Sequence, residues 1–290
     1  MDHHTREAVG QLSRWCLLGG AAVLALLAVI AELGALEPTF QAARARAVMP
    51  DAVSRVETHA RLSVISRPDL DQHIPGYYWQ GPQGHLSEVS IGRTGIGYFR
   101  LPNDVAPGRL GFHAVVNPYS TYAPGWGGAT VFLYARRTPL VVLDTRPLLT
   151  GADDGRLSRG ELRVGARPGT LWLARLAEVR PLAYLTPAPL DAYDACRHAL
   201  RQAPSGAVLA AADTWETPAD VEAMLDALGN VRKRVGGPVT LVTTDAALAE
   251  AARRDAVTVV LVGTDISPAA PGLNAPDWDA AYDWLTDQAQ

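Results

Sequence analysis

Acidic and hydroxyl side chains end several apolar runs of this sequence. The run "LVVLD" ends at Asp144, "RPLAYLT" ends at Thr186, and "PVTLVTT" is followed directly by Asp245. If these runs are parallel strands, their carboxyl ends meet at one edge of a sheet, where such sheets bind ligands. A carboxylate there can act as a nucleophile or bind a divalent cation, and a hydroxyl can hold a phosphate. The pattern therefore predicts a polar site built from strand ends.

Arg146 stands two residues after Asp144, at a position where a second acid might be expected. An arginine there can pair with Asp144 and lower its nucleophilicity, or it can hold a phosphate without turnover. A purely structural interpretation is also open, in which Asp144 ends its strand in an Asx turn.

The elements that must position these residues follow from the pattern of residues 137–290. Apolar runs of strand length alternate with helical patterns such as "GTLWLARLAEV" and "PADVEAMLDALGNVRKRV". Such alternation, with strands that are apolar throughout, predicts a parallel sheet covered by helices on both faces. The glycine fingerprints of dinucleotide-binding and P-loop proteins do not occur in the sequence. We expect residues 137–290 to form an α/β domain with a C-terminal helix.

Two preceding segments have a different character. Residues 61–136 alternate short β-type runs with Gly and Pro, which predicts a small antiparallel β-sandwich. Residues 37–60 are expected to form a juxtamembrane helix and stalk, interrupted at Pro50.

The N-terminal tail and anchor are assigned to residues 1–36. The segment from Trp15 to Leu36 is apolar except for Glu32, and it is long enough to cross a bilayer core of roughly 30 Å. A cleaved signal peptide is the alternative, but the apolar run exceeds the usual hydrophobic region of about 7–15 residues. We expect a single-pass membrane protein, contacting the bilayer through residues 15–36, with its soluble part on the extracytoplasmic side.

Composition excludes some classes of function. The formal net charge of −4 gives no basic footprint, so we expect no nucleic-acid partner. The two cysteines lie in different predicted elements, and neither a CxxC nor an HExxH motif occurs, so neither a disulfide framework nor a zinc site is expected.

The order of these pieces resembles the haloacid dehalogenase (HAD) superfamily, over roughly residues 137–265. "PLVVLDTRPLL", "RPLAYLT" and "GPVTLVTTD" are similar to its first, second and fourth motifs, and the style is that of the lipin-like phosphatidate phosphatase branch. The resemblance implies a HAD-like Rossmannoid sheet, Asp144 as nucleophile and Thr186 as the phosphate-binding hydroxyl. It also implies Mg²⁺ bound by Asp144 and Asp245, with Lys233 in the place of the family's lysine. Arg146 departs from the family's acid–base aspartate. General acid–base catalysis typically contributes ~10²–10⁴-fold to a rate, so loss of that acid would leave slow turnover at best.

Two hypotheses from different classes follow. The first is a HAD-like binding or scaffold module without normal phosphatase chemistry, whose ligand is a phosphate-bearing small molecule or lipid, or a protein partner. The second is an active, divergent Mg²⁺-dependent phosphohydrolase. A PIN-like nuclease, which would add a middle acid such as Glu222 or Asp226 to Asp144 and Asp245, is a third. The anchor, the sandwich and the missing basic patch argue against that third hypothesis.

Overall fold

The computed structural model groups Ala45–Gln290 as one compact unit. The structure describes residues 46–55, 61–67, 77–80, 86–89, 96–100, 107–116, 126–150, 163–164, 169–263, 267–269 and 271–288. The expected anchor at residues 15–36 lies outside these ranges and stays a prediction. Within these ranges, no helix has the length and apolar character needed to span a membrane.

Seventeen strands lie in the described ranges. In chain order they are β1 (Arg46–Val48), β2 (Ala52–Arg55), β3 (Arg61–Arg67), β4 (Tyr77–Gln80), β5 (Leu86–Val89), β6 (Ile96–Arg100), β7 (Gly108–Val116), β8 (Trp126–Tyr134), β9 (Leu140–Asp144), β10 (Leu149–Thr150), β11 (Arg163–Val164), β12 (Leu182–Thr186), β13 (Gly206–Ala210), β14 (Val239–Thr243), β15 (Thr258–Val262), β16 (Ser267–Pro268) and β17 (Gly272–Ala275).

The helices of the described part all follow β11. They are α1 (Gly169–Val179), α2 (Leu190–Ala199), α3 (Val221–Val235), α4 (Ala246–Arg254) and α5 (Trp278–Asp287), with one 3₁₀ turn at Leu200–Gln202. Helix α3 shows why such segments form: its buried residues Met224, Leu228 and Val231 recur at helical spacing. Asp220 caps its first turn by accepting the Ala223 amide, and Gly236 ends it in the left-handed conformation at φ 63°.

The largest sheet has the order β13-β12-β9-β14-β15-β17-β16. Its first six strands are parallel, and β16 runs antiparallel to β17. The predicted parallel sheet is therefore confirmed. The chain leaves β9 toward β12 on one side and returns to β14 on the other, so the strand order reverses between β9 and β14. Open parallel sheets bind ligands outside the carboxyl ends of their strands at such a switch point.

Both faces of this sheet are buried. One face packs against apolar residues of α1, α2 and α5, such as Leu176, Tyr193 and Leu285. The other packs against α3 and α4, through residues such as Leu228 and Leu248. Strand β9 is buried over its whole length, which is why its sequence is continuously apolar up to the final aspartate.

The remaining strands form a five-stranded sheet, β2-β8-β7-β4-β5, a three-stranded sheet, β1-β3-β6, and the pair β10-β11. All their pairings are antiparallel except the parallel pair β2–β8. The helix expected within residues 37–60 is wrong over Arg46–Arg55, which forms β1 and β2 instead. Pairing with β3 and β8 and burial of Val48 and Val53 override the local helical pattern there. The boundary between residues 61–136 and 137–290 stays a prediction.

Candidate functional site

Asp144 lies at the last position of β9, next to the end of β14, so it occupies the switch point of the sheet. Its side chain is 0% exposed. Oδ1 accepts hydrogen bonds from the Arg146 backbone amide and Nε, both at 3.1 Å. Oδ2 accepts from Arg146 Nε at 3.0 Å, from Arg146 Nη2 at 2.7 Å and from Thr243 Oγ1 at 2.8 Å. Both carboxylate oxygens are therefore fully engaged by the protein.

Arg146 joins the two strand-end acids. While Nε and Nη2 hold Asp144, Nη1 donates to Asp245 Oδ2 at 2.7 Å. Burial disfavours its charged form, but the hydrogen bonds and attraction of the two carboxylates outweigh burial and raise the pKa of Arg146. Its side chain is 32% exposed, so the guanidinium lies between the buried Asp144 and the solvent.

Asp245 is held by the start of α4 as well as by Arg146. Its Oδ1 accepts the backbone amides of Ala247 at 2.8 Å and Leu248 at 3.0 Å, which makes it the N-cap of that helix. Burial pushes its pKa upward, but the Leu248 amide and Arg146 outweigh burial, and the pKa of Asp245 is lowered. Asp144, Arg146, Thr243 and Asp245 form what we call the strand-end cluster.

Thr186 ends β12 at the same edge but faces the other way. Its Oγ1 accepts the Ala188 amide at 3.1 Å and the Cys196 thiol at 3.2 Å, on the face covered by α2. Residues two apart along a strand share a face, and Thr186 shares its face with Tyr184, which packs in the core beside α2. Burial raises the pKa of Cys196 to about 11, against the opposing hydrogen bonds, so the neighbouring group is a neutral thiol. The structure does not bring Thr186 to Asp144.

Lys233 is also distant from the strand-end cluster. It is exposed in the last turn of α3, which leads into the amino end of β14, whereas Asp245 follows the carboxyl end of that strand. Glu222 and Asp226 lie on α3 as well. Within the described ranges, no group of three His, Cys, Asp or Glu side chains is close enough to hold a metal ion. As the side chains stand, a guanidinium fills the place between Asp144 and Asp245 that a shared Mg²⁺ would need.

A shared local hydrogen bond explains much of the polar character of the strand ends. At Asp144, Thr186 and Thr243 the side-chain oxygen accepts the backbone amide two residues later. These are Asx-type and Ser/Thr-type turns, so the Asx turn left open for Asp144 is present. Asp144 differs from the other two strand ends because its carboxylate also accepts hydrogen bonds from the guanidinium of Arg146 and from the Thr243 hydroxyl.

The structure contains a second polar cluster, which the sequence analysis did not predict. Asp51, in the loop between β1 and β2, has a side chain that is 4% exposed and pairs with Arg197 of α2 at 2.9 Å. It also accepts the backbone amides of Thr130 at 2.7 Å and Val208 at 3.1 Å. We call Asp51, Arg197 and these two amides the Asp51 joint. The available signal was one acid within the apolar stretch "AVMPDAV", which says nothing about its partners.

Comparison with known proteins does not assign the chain to a family. No family model matches it, and no curated protein matches it. Among solved structures, similarity is found to the M1 domain from titin (14% identity, TM-score 0.23, 30% of this chain and 89% of that one). A PKD domain from human KIAA0319 matches at 18% identity and TM-score 0.24, over 33% of this chain and 87% of that one. A sialyltransferase from Photobacterium damsela matches at 8% identity and TM-score 0.21, over 73% of this chain and 43% of that one.

Proposed function

We propose that this protein is a membrane-anchored, non-catalytic binding or scaffold module whose α/β body is of the HAD type. Its anchor is residues 15–36, its strands upstream of residue 137 form a β-sandwich, and its soluble part faces the extracytoplasmic side. The observation that carries the proposal is the position of Arg146, which contacts Asp144 through three nitrogens and also holds Asp245.

The chemical argument concerns the lone pairs of Asp144. A carboxylate nucleophile must approach phosphorus with a free oxygen, and both oxygens of Asp144 already accept hydrogen bonds. The guanidinium also lies on the solvent side of that carboxylate, so a substrate would have to displace it. Displacement would remove the guanidinium hydrogen bonds of Asp144, which water would have to replace, at a cost of about 1–3 kcal/mol. The resting arrangement of the cluster therefore disfavours turnover at Asp144.

An active Mg²⁺-dependent phosphohydrolase is the second candidate. The switch-point position of Asp144 and the approach of Asp245 to it favour this candidate, since phosphatase sites use paired carboxylates at strand ends. It requires Arg146 to swing away and free both carboxylates for Mg²⁺.

The test is Mg²⁺-dependent release of phosphate from a generic phosphate ester by the full-length chain. We expect equal release by the wild type and by Asp144→Asn, because the proposed module does no chemistry at Asp144. Release that Asp144→Asn abolishes would make the protein a phosphohydrolase and overturn the proposal.

A second pair of variants tests the resemblance to the HAD family. Arg146→Asp restores the family's acid, and Arg175→Asp makes the same charge change on the exposed surface of α1. Release gained by the first variant alone would identify a dormant HAD-type site beneath the arginine. If both variants stay inert, the HAD assignment loses its main support.

A further inference from the structure

A pocket of about 390 Å³ lies beside the outer edge of β13, and its lining contains none of the strand-end cluster. Arg109 of β7, Arg197 of α2 and Arg201 of the 3₁₀ turn line it, together with the carboxylate of Asp51. Among the described residues of the lining there are thus three guanidinium groups and one carboxylate. Its size is in the range of pockets that hold small organic ligands.

Asp51, the one acid among the described residues of this lining, already has several partners. Asp51 accepts the Thr130 and Val208 amides and pairs with Arg197 Nη2 at 2.9 Å. Arg197 in turn donates to the Gly128 carbonyl through Nη1. The charges of Asp51 and Arg197 balance as a pair, and although Arg109 also lowers the pKa of Asp51, this one carboxylate cannot balance the charges of Arg109 and Arg201 as well.

Arg109 and Arg201 are both exposed, and no described acid forms an ion pair with either. Arg109 stands directly opposite Phe132 in the β7–β8 pair, with its Cζ atom 5.5 Å from the ring centroid. This cation–π contact orients the guanidinium beside the pocket. Attraction by the negative C-terminal end of α2 can explain why an arginine stands at position 201. It cannot explain Arg109, which lies on a strand.

We propose that this pocket binds a small organic molecule through a dianionic oxyanion of the phosphate monoester class, held by Arg109 and Arg201. Two guanidinium forks match the two charges and the several acceptor oxygens of such a group. The hydroxyls of Thr130 and Ser205, which also line the pocket, can donate to the remaining oxygens. Leu200 and Pro204 line the part left for the organic portion of the ligand.

The test is calorimetric titration of the full-length chain with phenyl phosphate, and with inorganic phosphate, at low ionic strength. We expect saturable binding of phenyl phosphate by the wild type. Arg109→Ala and Arg201→Ala should each weaken it by about tenfold, because each removes a charge-assisted contact. Arg109→Lys should restore only part of the affinity, since it keeps the charge but lacks the fork.

Arg175→Ala, an exposed arginine of α1, is the matched control and should bind like the wild type. The midpoint temperature of thermal unfolding is measured for each variant. A value equal to that of the wild type shows that the loss of binding does not come from a loss of folding. The proposal is overturned if the wild type gives no saturable binding, or if the Arg109/Arg201 double variant binds equally well. Loss of binding in Arg146→Ala alone would overturn it too, by placing the anion at the strand-end cluster.

Discussion

The described part of the chain contains two acid–arginine pairs whose acids are buried, and they are built in different ways. At the strand-end cluster, Asp144 and Arg146 are neighbours in sequence, and the acid accepts chiefly from a guanidinium that is 32% exposed. At the Asp51 joint, the partners are distant in sequence, and two of the three donors to the acid are backbone amides.

This difference teaches what each pair can do. Backbone amides of β8 and β13 cannot move without moving their sheets, so Asp51 fixes the β1–β2 loop, the five-stranded sheet and the α/β sheet to one another. A partly exposed side chain at an open sheet edge can rearrange more freely. The Asp51 joint is therefore architectural, and the strand-end cluster is where a ligand or a mutation can act without unfolding the chain.

The largest effect is expected from Asp51→Ala. This change leaves Arg197 without its carboxylate and removes the acceptor of one buried and one partly buried backbone amide, so the free energy of unfolding should fall by about 3–5 kcal/mol. Urea denaturation followed by circular dichroism measures it. Asp213→Ala, at an exposed aspartate after β13, is the control and should change stability by less than about 0.5 kcal/mol. A loss below about 1 kcal/mol in Asp51→Ala would contradict the architectural role.

Arg146→Ala should cost less, about 1–3 kcal/mol, although it removes more hydrogen bonds to its acid. The reason is the open edge, where water can replace the guanidinium over Asp144. The same denaturation experiment measures it, with Arg175→Ala as the matched surface control. If Arg146→Ala destabilised the protein more than Asp51→Ala, the distinction between the two pairs would not hold.

The N-cap residues of two helices allow a further comparison of stability losses. Asp220→Ala removes one cap hydrogen bond from α3 and should cost about 1 kcal/mol, whereas Asp245→Ala should cost up to about 2 kcal/mol. Asp245 accepts two amides of α4 and also holds Arg146, so its loss loosens the strand-end cluster. Equal losses in the two variants, measured by urea denaturation, would show that the contact with Arg146 adds nothing.

The smallest expected effect is a difference in pH dependence. The pKa of Asp245 is lowered in the folded state, so its stabilising contribution is present above about 3.9, the ordinary aspartate value, and is lost as pH falls through the folded pKa. The pKa of Asp51 is raised, because burial outweighs Arg197 and the amides. Its contribution is most favourable below about pH 3.9 and is lost as pH rises through the folded pKa.

Stability measured over a pH series should therefore change in opposite directions in two variants. Asp245→Asn should reduce the loss of stability on acidification, and Asp51→Asn should increase it. If both variants changed the loss of stability on acidification in the same direction, the environments assigned to Asp245 and Asp51 would be wrong.

Much of the α/β sheet could be predicted because its strands are short, continuously apolar runs separated by amphipathic segments. Strands β9, β12, β13, β14 and β15 all fall on such runs. Strands β1 and β2 could not be predicted, since a helical pattern covers their residues and only pairing with β3 and β8 makes them strands. The expectation that strand ends meet at one edge correctly placed Asp144 and Asp245 near each other. It did not specify on which face of the sheet each side chain lies, and the side chain of Thr186 lies on the face opposite to that of Asp144.

The sequence by itself determined the strand–helix alternation, the acids at the ends of β9 and β14, and the arginine two residues after the first acid. These are properties of neighbouring residues, fixed by burial periodicity and turn chemistry. Only the tertiary structure decided that Arg146 also reaches Asp245, that Thr186 turns toward Cys196, and that Asp51 joins two sheets. Those contacts depend on sheet order and register, which set distances between residues far apart in the chain and leave no local pattern to read.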